Sequence, residues 1–171
     1  MSRKILIVID MQNDFITGPL GSKEAQAIIP KVVEKVKSYN SECVYFTKDT
    51  HYDNYLETLE GQRLPVPHCI INTEGWRIID ELYFYAEESR GIFYKHTFGY
   101  EDWIGFNWSD VEEIELCGVC TDICVVSNAL ALRMFFPNTK ITVDSSCCAG
   151  VTPEKHEAAL EVMRSCQIDV I

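Results

Sequence analysis

The chain has 171 residues, 47% apolar and 24% charged, the balance expected of a soluble globular protein with one sizeable core. A net charge of −11 opposes nucleic-acid phosphates and anionic lipid, so neither is expected as a partner. No apolar run has membrane-span length, and the first one stops too soon, at Asp10, to be a signal peptide; a cytoplasmic location is expected.

Residues 4–9 (Lys-Ile-Leu-Ile-Val-Ile) form an unbroken β-branched run, the signature of a strand buried on both faces in a parallel sheet. Ser22 caps a predicted helix running to about residue 39, which Pro30 breaks or restarts. Residues 43–47 read as a second strand. Residues 49–73, with Gly61, Pro65 and Pro67, read as a long ordered loop, a length usually reserved for function. A helix is predicted over 75–88, with Ile78, Ile79, Leu82 and Phe84 as its apolar face. Residues 91–95 are a third strand and 100–106 a short helix. Strand four is predicted at 114–117, followed by a buried helix at 125–136 and strand five at 140–143. Thr152 caps the last helix, with Pro153 at its first position. Residues 168–171 close the chain as strand six. The expectation is a single domain, 1–171. Its fold class is α/β, a three-layer doubly wound sheet of about six mainly parallel strands with helices on both faces.

Eight cysteines lie mostly in apolar runs. They read as reduced thiols rather than a disulfide framework, and no structural zinc knuckle is expected. Cys147 and Cys148 read as packing residues following strand five. Cys124 differs in position, because it lies at a strand-to-helix junction. There free N–H groups and the helix dipole favour a thiolate, the form that acts as a nucleophile. The alternative is an inert buried cysteine.

In doubly wound sheets ligands bind beyond the carboxyl ends of the strands. Those ends deliver Asp10, then Asp49 and His51, then Lys95, then Cys124. Asp10 is a candidate base for Cys124 or a turn cap. Lys95 is a candidate charge stabiliser or an exposed strand terminus. Asp49 and His51 share one side of an extended segment, and His68 follows the stiffening Pro67. One Asp and two His suit Zn²⁺, Mn²⁺ or Fe²⁺, with Glu60 available as a fourth ligand. His96 and His156 read as structural or exposed. A phosphoacceptor receiver domain is a poor match, since Met11 follows Asp10 and strand three ends in Lys95.

Asp10-Met11-Gln12-Asn13-Asp14-Phe15, Lys95 and Gly118-Val119-Cys120-Thr121-Asp122-Ile123-Cys124-Val125 resemble the isochorismatase-like cysteine hydrolases. Asp49-Thr50-His51 and Pro67-His68-Cys69 resemble the nicotinamidase branch. The resemblance implies a catalytic triad of Asp10, Lys95 and Cys124. It implies a metal site of Asp49, His51 and His68, for zinc with Mn or Fe as alternatives, and Glu60 where a further ligand falls. It also implies a cis peptide before Cys120, an oxyanion hole from the N–H groups of Cys120 and Cys124, and Phe15 packing on the substrate ring. Two departures stand out. Cys120 replaces the usual Ala, and no aromatic precedes His68; Trp103, Phe98 or Tyr100 is a candidate substitute. The implied activity is hydrolysis of a small amide, nicotinamide to nicotinate and ammonia, by a homo-oligomer serving NAD salvage. An N-carbamoyl amide hydrolase and a non-catalytic family member are the alternatives.

Overall fold

The structure is a computed structural model, described here for residues 3–106, 108 and 110–171. Six parallel strands form one sheet in the order β3-β2-β1-β4-β5-β6. They are β1 (Arg3–Ile9), β2 (Val44–Asp49), β3 (Gly91–Lys95), β4 (Val111–Val119), β5 (Lys140–Ala149) and β6 (Asp169–Val170). The chain steps outward from β1 to β3, returns to β4, then steps outward the other way. Right-handed crossovers place the connecting helices of the two halves on opposite faces. A short helix α1 (Asn13–Ile16) follows β1; on one side of the sheet lie α2 (Lys23–Ala27), α3 (Ile29–Lys37) and α5 (Asp80–Glu87), and on the other α6 (Val126–Phe135) and α7 (Pro153–Ser165). The switch point lies between β1 and β4, directly beneath the site described below.

The continuous apolar run of β1 is explained by its place: Ile5, Leu6, Ile7, Val8 and Ile9 are each 0% exposed between two neighbouring strands. Gly118 lets β4 come this close to β1. Its φ is +116°, and a Cβ there would meet the Ile9 carbonyl oxygen at 2.2 Å.

The helix ends follow local chemistry. Ser22 accepts the Ala25 N–H at 3.0 Å, and Pro30 restarts the chain as α3, dividing the single helix expected over 22–39. Thr152 accepts the Lys155 N–H at α7. The predicted 75–88 helix begins only at Asp80, because Ile78 pairs as a bridge with Gln12 and Ile79 donates its N–H to Met11 at 3.0 Å. Phe84 is 67% exposed, so it does not belong to the buried face. The long loop carries a 3-10 turn at Tyr55–Glu57 and a short helix α4, Leu59–Arg63. The expected helix at 100–106 is a single 3-10 turn, Trp103–Gly105. Cys147 and Cys148 lie within β5, which is longer than expected. Among the described residues no helix is long and apolar enough to cross a membrane.

Midway along β4, Glu115 is 1% exposed. It is met by Lys4 at 2.6 Å, by the Tyr39 hydroxyl at 2.6 Å and by Lys35, whose ammonium also reaches Asp144 at 2.5 Å. Burial alone would raise the Glu115 and Asp144 carboxyl pKa values, but these partners hold both below the ordinary range. A depressed folded-state pKa contributes stability that is present above the unfolded value and is lost as pH falls through the folded one. Stability should therefore drop below about pH 4. Lys35→Met should cost about 3 kcal/mol at neutral pH, read by urea denaturation, and should flatten that acid-side loss. Gly118→Ala should lower the unfolding midpoint sharply, since the clash is with backbone.

Candidate active site

Four strand ends build the site. Asp10 follows β1 at a φ of +49°, and its backbone N–H donates to the Thr47 hydroxyl at 3.1 Å. The same hydroxyl donates to Asp10 Oδ1 at 2.6 Å. On β3, Lys95 is the register partner of Asp49 on β2. Its Nζ lies 2.7 Å from Asp10 Oδ2, 3.3 Å from Asp49 Oδ1 and 3.5 Å from Cys124 Sγ, and donates to the Thr97 carbonyl at 3.1 Å. Asp10 and Lys95 are each 0% exposed and Cys124 is 5% exposed. The structure thus brings the three residues of the expected triad together in one desolvated cluster. Lys95 is no exposed strand terminus.

Asp10 Oδ2 makes a close ion pair with Lys95 but has no donor aligned for a hydrogen bond. An open lone pair is what a proton acceptor requires. Burial raises the Asp10 pKa, against the lowering effect of Lys95. Burial would lower that of Lys95, but Asp10, Cys124 and Asp49 hold it well above its ordinary value, so it is a cation.

Cys124 lies in a π turn, Thr121–Val125, closed by the Val125 N–H on the Cys120 carbonyl at 3.0 Å and continued by α6. Its thiol pKa is pushed up, burial outweighing the opposing Lys95 charge, with the Asp10 and Asp49 carboxylates adding to the rise. Burial here opposes the thiolate that the helix N-terminus favours, and the dipole's effect is the modest one. The Val119–Cys120 peptide is cis. Cys117 and Cys120 stand at a C-x-x-C spacing, with Cys117 buried in the β4 core. All eight cysteines are unpaired.

Beside this cluster, ligand atoms of Asp49, His51, Glu60 and His68 all lie within 4.8 Å of one another. His51 Nε2 is 3.0 Å from Asp49 Oδ2 and 3.6 Å from Glu60 Oε1; His68 Nε2 is 3.5 Å and 3.8 Å from the same two atoms. The His68 Nδ1–H donates to the Val66 carbonyl at 2.8 Å, which leaves the Nε2 lone pair facing the acids. Two imidazoles and two carboxylates converging in this way fit a divalent metal. Glu60 reaches the group because α4 gives the long loop a defined shape.

A cavity of about 910 Å³ opens over the site, with His51, Glu60, His96, Phe98, Asp122 and Ile123 among its walls. Phe15 is nearly buried, its ring centroid 5.5 Å from that of His68. Of the three aromatics that could replace the missing one, only Phe98 lines the cavity. Trp103 is fully buried with its indole N–H on Asn128 Oδ1 at 2.9 Å, and Tyr100 stacks on Phe93.

Several positioning residues were not recognised from sequence. Gln12 donates to the Asp49 carbonyl at 2.9 Å and accepts the Asp49 N–H at 2.8 Å. Asp14 accepts the Cys69 N–H at 2.7 Å, fixing the segment that carries His68. Asn128 donates to the Cys124 carbonyl at 2.8 Å, and His156 Nδ1 pairs with the Thr121 hydroxyl at 2.7 Å, steadying the cysteine turn. The only available signal was polar side chains in the turn after a strand or inside an apolar helix.

Residues 4–171 match the model of the isochorismatase domain family. A nicotinamidase/pyrazinamidase of Mycobacterium tuberculosis is 30% identical, the match covering 98% of each chain. A nicotinamidase/pyrazinamidase structure from Bacillus subtilis superposes with a TM-score of 0.86 at 27% identity, covering 98% of each chain. A Pyrococcus horikoshii pyrazinamidase solved in complex with zinc gives 0.83 at 27% identity, covering 99% of this chain and 98% of that one. With the strand order, the clustered Asp10, Lys95 and Cys124, and a match spanning nearly the whole chain, this protein belongs to the isochorismatase family.

Proposed function

We propose that the chain is a metal-assisted amidohydrolase with Cys124 as nucleophile, converting nicotinamide to nicotinate and ammonia. The observation that carries this reading is the buried Lys95 ammonium, within 3.5 Å of both the Asp10 carboxylate and the Cys124 sulfur. The names of the relatives support the substrate.

Asp10 takes the thiol proton as sulfur attacks the amide carbon, so the thiolate need not persist in a buried site. The N–H groups of Cys120 and Cys124 hold the developing oxyanion, a contact of a type worth about 3–4 kcal/mol. Asp10 returns the proton to the departing nitrogen; ammonia leaves and a thioester remains. Water then attacks the thioester while Asp10 accepts its proton, and collapse releases the acid and restores the thiol. Lys95 keeps its charge throughout and stabilises whichever of Asp10 and Cys124 is anionic. Phe15 and Phe98 offer apolar faces to a planar ring. Asp49, His51, Glu60 and His68 would hold the metal, zinc by the donor set, with manganese or iron as alternatives. Bound there, it would supply a positive charge that grips a ring nitrogen and orients the amide. Leu64 lines the cavity, and residues 64–67 before His68 include no aromatic, which favours a non-pyridine amide, such as an N-carbamoyl compound, as the second reading.

Purified protein should release ammonia from nicotinamide; chelation should suppress this and zinc restore it. Cys124→Ala should lose turnover by at least about a thousandfold with its circular dichroism unchanged. No release by metal-loaded protein would remove nicotinamide and redirect the search to other amides. Phe15→Ala should raise KM more than it lowers kcat.

The acid limb of kcat/KM should follow Asp10, which must be ionised to act. Burial places that limb above the ordinary carboxylate range. The Thr47 hydroxyl stabilises the ionised form, so Thr47→Val should move the limb to higher pH by about one unit. A downward shift or none would contradict the role of Asp10.

A further inference from the structure

Alternation along β2 turns Thr47 and Asp49 toward the active site and Lys48 toward the opposite face of the sheet. There a separate cavity of about 380 Å³ opens, with Lys48, Trp76, Arg77 and Tyr94 among its lining residues. Lys48 is only 7% exposed. Among the described residues its ammonium has no carboxylate or carbonyl partner. Instead Nζ lies 2.9 Å from the centroid of the Trp76 ring, with Tyr94 at 5.7 Å. Trp76 and Tyr94 stack on each other, centroids 5.7 Å apart, and Trp76 is pinned by its indole N–H on the Thr50 hydroxyl at 2.9 Å.

A charge removed from water is normally met by a counter-ion, and an aromatic face recovers only part of the lost hydration. The two carboxylates at this cavity do not supply one. Glu74 is engaged by Arg77 at 3.1 Å, and Glu87 is exposed to solvent. A cationic ligand would be repelled by Lys48, and a neutral one would leave it unpaired. The aromatic pair, with Ile78 and Ile92, offers apolar wall to a flat body. The volume lies at the small end of ligand sites.

We propose that this cavity is a second binding site, distinct from the catalytic one, for a small planar carboxylate whose anionic group pairs with Lys48 and whose body packs on Trp76 and Tyr94. The inference does not depend on the hydrolase reading.

Benzoate, which has no ring nitrogen, is the probe. Calorimetric titration of the full chain should show one benzoate bound per chain. Lys48→Met should weaken it by roughly ten- to a hundredfold, the loss of one charge-assisted hydrogen bond. Lys48→Arg should retain binding within a few fold, showing that charge rather than folding is at stake. Trp76→Leu should also weaken it, whereas Phe15→Ala and Cys124→Ala should not. A crystal soaked in benzoate should show the ligand against Trp76. Absence of binding at millimolar benzoate, equal affinity in Lys48→Met, or loss in Phe15→Ala instead would overturn the proposal.

Discussion

One buried ammonium organises this molecule's chemistry. Lys95 has no access to water, so its charge must be met inside the protein, and Asp10, Asp49 and Cys124 meet it from three other strand ends. The cation makes an ionised Asp10 tolerable in a desolvated place, and it shares Asp49 with the metal-type cluster. Removing it would leave the Asp10 carboxylate with the Thr47 hydroxyl and Asp49 with the His51 and His68 imidazoles, and no full cation beside either. The Asp10–Lys95–Cys124 cluster and the metal-type cluster are therefore one electrostatic unit, and neither can be altered without disturbing the other.

The fold supplies that unit by simple means. Parallel strands buried on both faces are mostly apolar along their length and bring polar residues together at their carboxyl ends. The reversal of strand order between β1 and β4 leaves a crevice at those ends, and Asp10 and Cys124 follow the two strands that border it. Gly118 permits the close approach of these strands. The turn at 10–16 does more than supply Asp10: through Gln12 and Asp14 it also clamps the backbone of Asp49 and of Cys69, next to two of the candidate metal ligands.

Much of this was legible in the sequence because it is local. Unbroken β-branched runs located the strands, and the polar residues closing them located the site. What the sequence concealed depends on distant partners. Ile78 has the spacing of a helical residue, yet its backbone pairs with Gln12, so α5 starts late. Trp103 and Phe98 were equal candidates for a cavity wall until Asn128 was seen to hold Trp103 inside the core. The place of Cys124 before a helix is visible in sequence, but the burial that raises its thiol pKa is a property of the folded whole.

The central claim is that Cys124 forms a bond to the substrate acyl group. The most direct test is acid quenching during turnover of nicotinamide by metal-loaded protein, followed by peptide mass spectrometry. A nicotinoyl adduct is expected on the peptide containing Cys124 and is expected to be absent in Cys124→Ala. Turnover with no adduct under conditions that preserve thioesters, or an adduct on a different cysteine, would contradict it.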